Sequence, residues 1–227
     1  MTEQLLSWHF LDDTGLMRCG TKAEVGKLYT VEPPLELCKH GLHGSVRAID
    51  ALQYAPGSIV CRDDHSGEIL RRNDKLCSTE RRILWMADAT AVLHEFACLC
   101  AEDVLPIFER KYPDDDRPRK AIAAKRAWLR GEIGDRELAA TWDAAWEAAE
   151  AASGEATWAA AWAAAWAAAG DTAWEAAGGA TWAAVRSAAW EAAWATAAAA
   201  PGEAAWATVW AAQNDRLTEM LEALNAS

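Results

Sequence analysis

Through the first 85 residues the apolar positions come in short runs separated by turn formers, a pattern of strands and tight connections. KLYTV (27–31) and LELC (35–38) read as strands, broken by the Pro33–Pro34 pair. Ser45 is placed to cap a short helix, VRAIDALQY, which Ala55-Pro56-Gly57 stops. SIVCRD, the turn DHSG and EILRR predict a β-hairpin, and RRILW a further strand. From Asp88 or Thr90 the period changes. Val92, Leu93, Phe96, Leu99, Cys100 and Leu105 recur every three or four residues, giving a long helix with one apolar face. Pro106 marks a potential kink, and Pro113 with Asp114–Asp116 ends the helix. A second helix opens at Asp115 or Asp116, with Pro118 in its first turn.

Beyond Gly131 alanine dominates, and alanine is the best helix former. Ser153-Gly154, Gly170, Gly178-Gly179 and Pro201-Gly202 cut this tail into helices near 135–152, 155–169, 171–199 and 203–225. The fold class is therefore α+β: a small N-terminal α+β domain followed by an all-α Ala/Trp-rich helical array or bundle. The expected boundaries are 1–87 for the α+β domain, 88–131 for connecting helices and 132–227 for the Ala/Trp-rich domain.

The tail tryptophans stand at 142, 146, 158, 162, 166, 174, 182, 190, 194, 206 and 210, every interval a multiple of four. Four residues turn a helix by about 400°, so the row drifts about 40° per step. Over one straight rod the drift would dissolve any single face. If the helices restart at the glycines, each carries its indoles in a stripe of about 80°. The preferred reading is that the indoles fill the space between helices while the alanines let backbones approach. Two others stand beside it. Trp158, Trp162, Trp166, Trp174 and Trp182 could line an exposed groove that binds a small ligand or a partner protein, or the ladder could drive homo-oligomer formation.

The net charge of −12 is unevenly spread. From Glu132 onward there are 14 acidic and 3 basic residues, against 20 and 19 before it. An acidic tail repels phosphates, which disfavours nucleic acid as its partner. The longest uncharged window, Ala156–Gly170, is shorter and less apolar than the ~20 residues a membrane span needs. MTEQLLSWHFLDD lacks the basic and apolar regions of a signal peptide. All six cysteines precede residue 101, and with no export signal free thiols in a reducing cytoplasm are expected.

Candidate chemistry gathers around LCKHGLHGS (37–45). Cys38, His40 and His43 with Cys61 and His65 are the residue types that hold zinc, although no paired-cysteine knuckle spacing is present. Buried thiols beside a hydrogen-bonded turn histidine account for them more simply. HGS at 43–45 also has the form of the histidine motif of some ADP-ribosyltransferases. In that reading His43 holds a ribose, Tyr29 or Tyr54 stacks, and Glu68 or Glu80 serves as the acid. Cys98 and Cys100 point different ways on a helix, and no P-loop, GxGxxG, HExxH or GxSxG occurs. No cofactor is implied, and a binding protein is favoured over an enzyme.

Several weak motifs agree in order and spacing: Cys19-Gly20, VGKLY (25–29), LCKHGLH (37–43), IDALQYAPG (49–57), IVCRDDHSGEI (59–69) and NDKL (73–76). On these, residues from about 16 to 93 resemble a bacteriophage and prophage domain of unknown function (DUF7666). ACLCAEDVLPIFERKYPDDDRPRKAIAAKRAWLRGEI (97–133) resembles the opening of an Ala-rich helical family of immunity proteins, from which the tryptophan enrichment that follows departs. The resemblance implies a mobile-element setting and carries over no catalytic residues. The function expected is that of a non-enzymatic immunity or counter-defence protein, its Trp-lined helices binding a partner protein or sequestering a small ligand. A transferase centred on His43 and a purely structural self-assembling protein are the alternatives.

Overall fold

The computed structural model describes residues 5–17, 20–169, 181–200 and 203–226. The chain forms two units, residues 1–90 with 216–227, and residues 91–215.

The first unit is an antiparallel sheet of β1 (Leu5–Leu11), β2 (Leu28–Thr30), β3 (Leu42–Gly44), β4 (Ile59–Arg71) and β5 (Leu76–Asp88), with the short helix α1 (Ala48–Leu52) between β3 and β4. The strand order is β1-β4-β5-β2, and β3 also lies on β5. β5 bonds β4 along one edge; its other edge takes β2 at Glu80–Arg82 and β3 at Leu76–Ser78. Trp8 and Ser45 then exchange two backbone hydrogen bonds, at 2.7 and 2.9 Å, so β3 also reaches β1. The sheet thus curls into a ring, β1-β4-β5-β3. One face buries Leu11, Met17, Ala23, Cys61 and Ile83. On the alternate positions Trp8, Phe10 and Val60 are buried, with α1 packed against β1. Arg62 lies 4.4 Å over the Trp8 ring and 3.7 Å from Glu222.

Three local expectations change here. LELC is a tight turn, with Cys38 at φ 70° and a single bridge between Glu36 and His40, and the strand comes one step later as β3. Ser45 spends its backbone on Trp8, and the N-cap of α1 is Arg47, whose guanidinium grips Asp50 at 2.7 and 2.8 Å. DHSG is no turn either. β4 runs unbroken for 13 residues and absorbs Gly67 as a register irregularity between Ser66 and Ile69. Gly67 sits at φ 73°, and a Cβ there would fall 2.2 Å from Thr79 Oγ1. The glycine that suggested a turn is needed for the bulge, because β5 offers a continuous opposite edge. The real reversal is at Arg72–Lys75, where Arg72 N–H donates to the Lys75 carbonyl.

The second unit is helical: α2 (Thr90–Lys111, its first residue in the first unit), α3 (Arg117–Leu129), α4 (Asp135–Ala151), α5 (Glu155–Ala168), α6 (Thr181–Ala199) and α7 (Glu203–Ala223), whose last turns belong to the first unit. The starts follow the expected chemistry. The Asp88 carboxylate accepts from Thr90 N–H at 2.8 Å, Asp115 from Arg117 N–H at 3.2 Å, and Glu137 reaches back to Gly134 N–H at 3.1 Å. Arg126 ties α3 to α2 by forked bonds to both Glu95 and Glu102.

α5 is the central helix of this unit, packed on α3, α4 and α6. Ala159, Ala160, Ala161, Ala163, Ala164, Ala165, Ala167 and Ala168 are all buried, while Trp158 stays 39% exposed and Trp162 and Trp166 are partly buried. The preferred reading of the indoles therefore holds in part: alanines let the helices close up and Trp142 and Trp162 pack against their cluster, Trp210 is buried, but Trp158, Trp190 and Trp194 stay exposed at the rim. Three neighbours can surround one helix only if the side chains between them are small, and an indole on those faces would force the axes apart. The C-terminal end of α5 is closed by Lys125, fully buried, whose ammonium donates to the Ala169 carbonyl at 2.9 Å and lies 4.2 Å over the Trp128 ring. A cation there complements the negative end of the helix.

Candidate functional site

Two arrangements stand out, one inside each unit. In the first, alternate residues of paired strands point to one face of the sheet: Ser7 and His9 from β1, Asp63 and His65 from β4, and Arg81 from β5. Ser7, Asp63, His65 and Arg81 are buried. Arg81 donates to the His43 carbonyl at 2.9 Å, contacts the Met17 sulfur at 3.2 Å, and places its Nε 3.6 Å from the Asp63 carboxylate. His65 Nδ1 pairs with Ser78 Oγ at 2.7 Å, and Ser78 gives its only proton to the Glu80 carbonyl at 2.6 Å. His65 must then be the donor, which fixes the Nδ1–H tautomer and leaves Nε2 as an acceptor. That Nε2 and Ser7 Oγ are both buried without a hydrogen bond, and Gly44 lies against them.

Burial sets the protonation of this cluster. It pushes the Asp63 carboxyl up to about 6, with Arg81 and Arg62 pulling the other way. Burial, helped by Arg81 and His43, lowers His65 to about 3, and burial with the same arginine takes His9 well below its ordinary value. Near neutral pH both histidines are uncharged, and Arg81 and Asp63 are the charged pair. With Gly44 over Ser7 and His65, the group acts as a polar core that fixes the ring.

Of the residues singled out from sequence, His43 belongs to β3, and its Nε2 accepts the Cys38 N–H at 2.9 Å. Cys61 is buried in the apolar cluster with Leu11 and Ile83, where burial raises its thiol. Cys38 and His43 therefore meet, whereas Cys61 and His65 are engaged elsewhere. His40 Nε2 pairs with the Glu32 carbonyl at 2.6 Å. Among the described residues no three His, Cys, Asp or Glu side chains are grouped to hold a metal. Tyr29 bonds Glu24 and Lys22, Tyr54 bonds Asp74 and Lys75, and Glu80 accepts from Ser66 at 2.7 Å. Ser7, His9 and Asp63 escaped the sequence reading, and the Arg81–Arg82 pair, which reads as a solvated face, has Arg81 buried. Polar residues alternating along a strand suggest a wet face, and nothing local says that the sheet closes over them.

The second arrangement is the indole rim. Trp142 and Trp146 of α4 meet Trp158, Trp162 and Trp166 of α5, with Trp146 edge-to-face on Trp162 at 4.1 Å and on Trp166 at 5.9 Å. Trp190 and Trp194 of α6 meet Trp206 and Trp210 of α7 in the same manner, at 4.8 to 6.4 Å. Trp190 and Trp194 remain 48% and 41% exposed. Trp174 and the side chain of Trp182 lie outside the described residues. No described helix is long and apolar enough to cross a membrane.

No curated protein and no solved structure matches the chain. Family models match it in two successive segments. The helical match extends well past the 97–133 expected from the sequence, into the tryptophan-rich helices themselves. Residues 11–95 match a domain of unknown function (DUF7666), and residues 86–188 match the family described as "Imm-5 like putative immunity protein", in the order that the motifs indicate.

Proposed function

We propose that this chain is an immunity-type interaction protein whose helical unit binds a partner protein through its indole rim. The match of residues 86–188 suggests an immunity-type role. One observation carries the rest: Trp158, Trp190 and Trp194 keep two-fifths to one-half of their surface in water although the unit has a closed alanine core. Exposed aromatic groups in rows are the usual anchors of protein interfaces. A partner protein is favoured over a small ligand, because the rings pack edge-to-face on one another and so use the space between them.

The test is growth protection. Each gene neighbouring this one is induced in cells with and without the chain, and arrest caused by one of them is expected to be relieved by it. Replacing Trp158, Trp190 and Trp194 together by Ala is expected to remove the relief while helix content by circular dichroism is kept. Undiminished relief by that variant would refute the indole rim as the binding face.

A further inference from the structure

We propose that the exposed face of α6 around Trp190, Glu191 and Trp194 is the docking point for an arginine or lysine side chain of a basic partner protein. This rests on the interaction reading above and names the chemistry of the partner.

The argument begins with charge. From Glu137 to Asp215 the chain has ten carboxylates and a single base, Arg186, and no Lys or Arg at all occurs from 187 to 215. Elsewhere, where cations are to hand, the chain sets them on its indoles: Arg62 lies 4.4 Å over Trp8 and Lys125 4.2 Å over Trp128. On α6 itself the one base is Arg186, a turn before Trp190, and none lies within a turn of Trp194, so its own helix supplies no cation for the Trp194 ring.

Glu191 adds a second observation. It is partly buried, and burial holds its carboxyl above the usual range. Desolvating a carboxylate without an opposite charge costs free energy that an arriving cation returns. Helix geometry places Glu191 three residues before Trp194 and Trp190 four before it, so each is a neighbour of Trp194 on the α6 surface. An aromatic face beside a carboxylate suits a guanidinium or ammonium group, which gains from the ring quadrupole and from the charge together. The partner surface that fits is basic. An acidic or phosphate-bearing surface would be repelled by the same ten carboxylates.

The experiment uses the full chain and a fluorescein-labelled nona-arginine peptide as probe, read by anisotropy at fixed ionic strength. Glu191→Gln is expected to weaken binding about fivefold or more, and Trp190→Leu with Trp194→Leu by a similar factor, because leucine keeps apolar bulk without a π face. Trp190→Phe with Trp194→Phe, which keeps the rings, is expected to retain most of the affinity. Glu147→Gln, an exposed carboxylate of α4, controls for general acidity and is expected to change it less than twofold. Affinity unchanged in Glu191→Gln, or lowered as much in Glu147→Gln, would overturn the proposal. The growth assay separates the two readings. If Glu191→Gln protects like the unsubstituted chain while the triple Trp→Ala variant does not, the cation site fails and the interaction role stands.

Discussion

Gly44→Ala is the sharpest probe of the closed ring. Gly44 is not among the residues with positive φ, so alanine costs nothing in backbone conformation and the effect is purely steric. A Cβ at that position would lie 2.4 Å from Ser7 Oγ, 3.1 Å from Ser7 Cβ and 3.0 Å from His65 Nε2. The closest of these is about 1 Å inside ordinary contact, between atoms on two different strands and with no exposed side for either to move toward. Overpacking of this kind costs about 2–4 kcal/mol. Ser7→Ala removes the 2.4 Å overlap and leaves the 3.0 and 3.1 Å contacts, so it should recover about half of that loss. Alone it should be nearly neutral, since it deletes a buried hydroxyl that has no hydrogen bond. The assay is native-state amide exchange in the full chain, read on β1 and β4, because these strands flank the cluster and belong to the first unit. At tenfold per about 1.4 kcal/mol, protection should fall about 30-fold to 1000-fold in Gly44→Ala and partly return in the double variant. A change below threefold, or no return with Ser7→Ala, would refute the account of β3 lying on this cluster.

Other predictions follow the same logic. Asp63 titrates near 6 in the folded chain and near 3.8 when unfolded, so the native state holds the extra proton between those values. Its contribution therefore favours folding at low pH and is lost as pH rises through 6, a penalty of about 3 kcal/mol at neutrality, and Asp63→Asn should abolish that falling limb in urea titrations from pH 4 to 8. His65 has the opposite sign: its folded value near 3 lies below the unfolded 6.5, so stability is lost as pH falls through that window, and His65→Gln should flatten the acid limb of the same titration. Arg126→Lys keeps the charge but loses the fork to Glu95 and Glu102; discounted for partial exposure, a loss of about 1 kcal/mol is expected in thermal unfolding, and no loss would show that the pairs are screened. Ala164→Leu should cost about 1–3 kcal/mol by the same measurement, and an unchanged midpoint would contradict the alanine core.

What was legible from sequence was mostly local. The helix ends of the tail could be read because a glycine in a run of alanine has few other meanings, and α4, α5 and the start of α2 lie where caps and breakers put them. Gly67 shows the limit. A glycine after Asp64-His65-Ser66 is good chemistry for a turn and equally good for a bulge, and only the partner strand decides. Ser45 fails for a related reason: its capping hydroxyl was weighed, but its backbone was claimed by Trp8, 37 residues away in sequence.

The tryptophan ladder fails and succeeds on different grounds. Its period did predict one stripe per helix, and the stripes exist. What the period could not say is which side of the helix faces inward, because a helix of alanine and tryptophan is apolar all round and both faces are candidates for burial. Geometry breaks the tie. A helix with three helical neighbours needs small residues on most of its circumference, and α5 has eight buried alanines to give them, so its indoles sit at the margin of those contacts, Trp162 and Trp166 against Trp146 of α4 and Trp158 largely in water. Packing then explains why the stripe is at the surface, but it does not require the stripe to be tryptophan; a less costly apolar or polar residue would fill the rim of an alanine core as well. The repetition of indole at 158, 190 and 194, each still substantially in water and in a stretch with Arg186 as its one base, is the part of the sequence that folding leaves unexplained, and it is there that a binding function has its best physical footing.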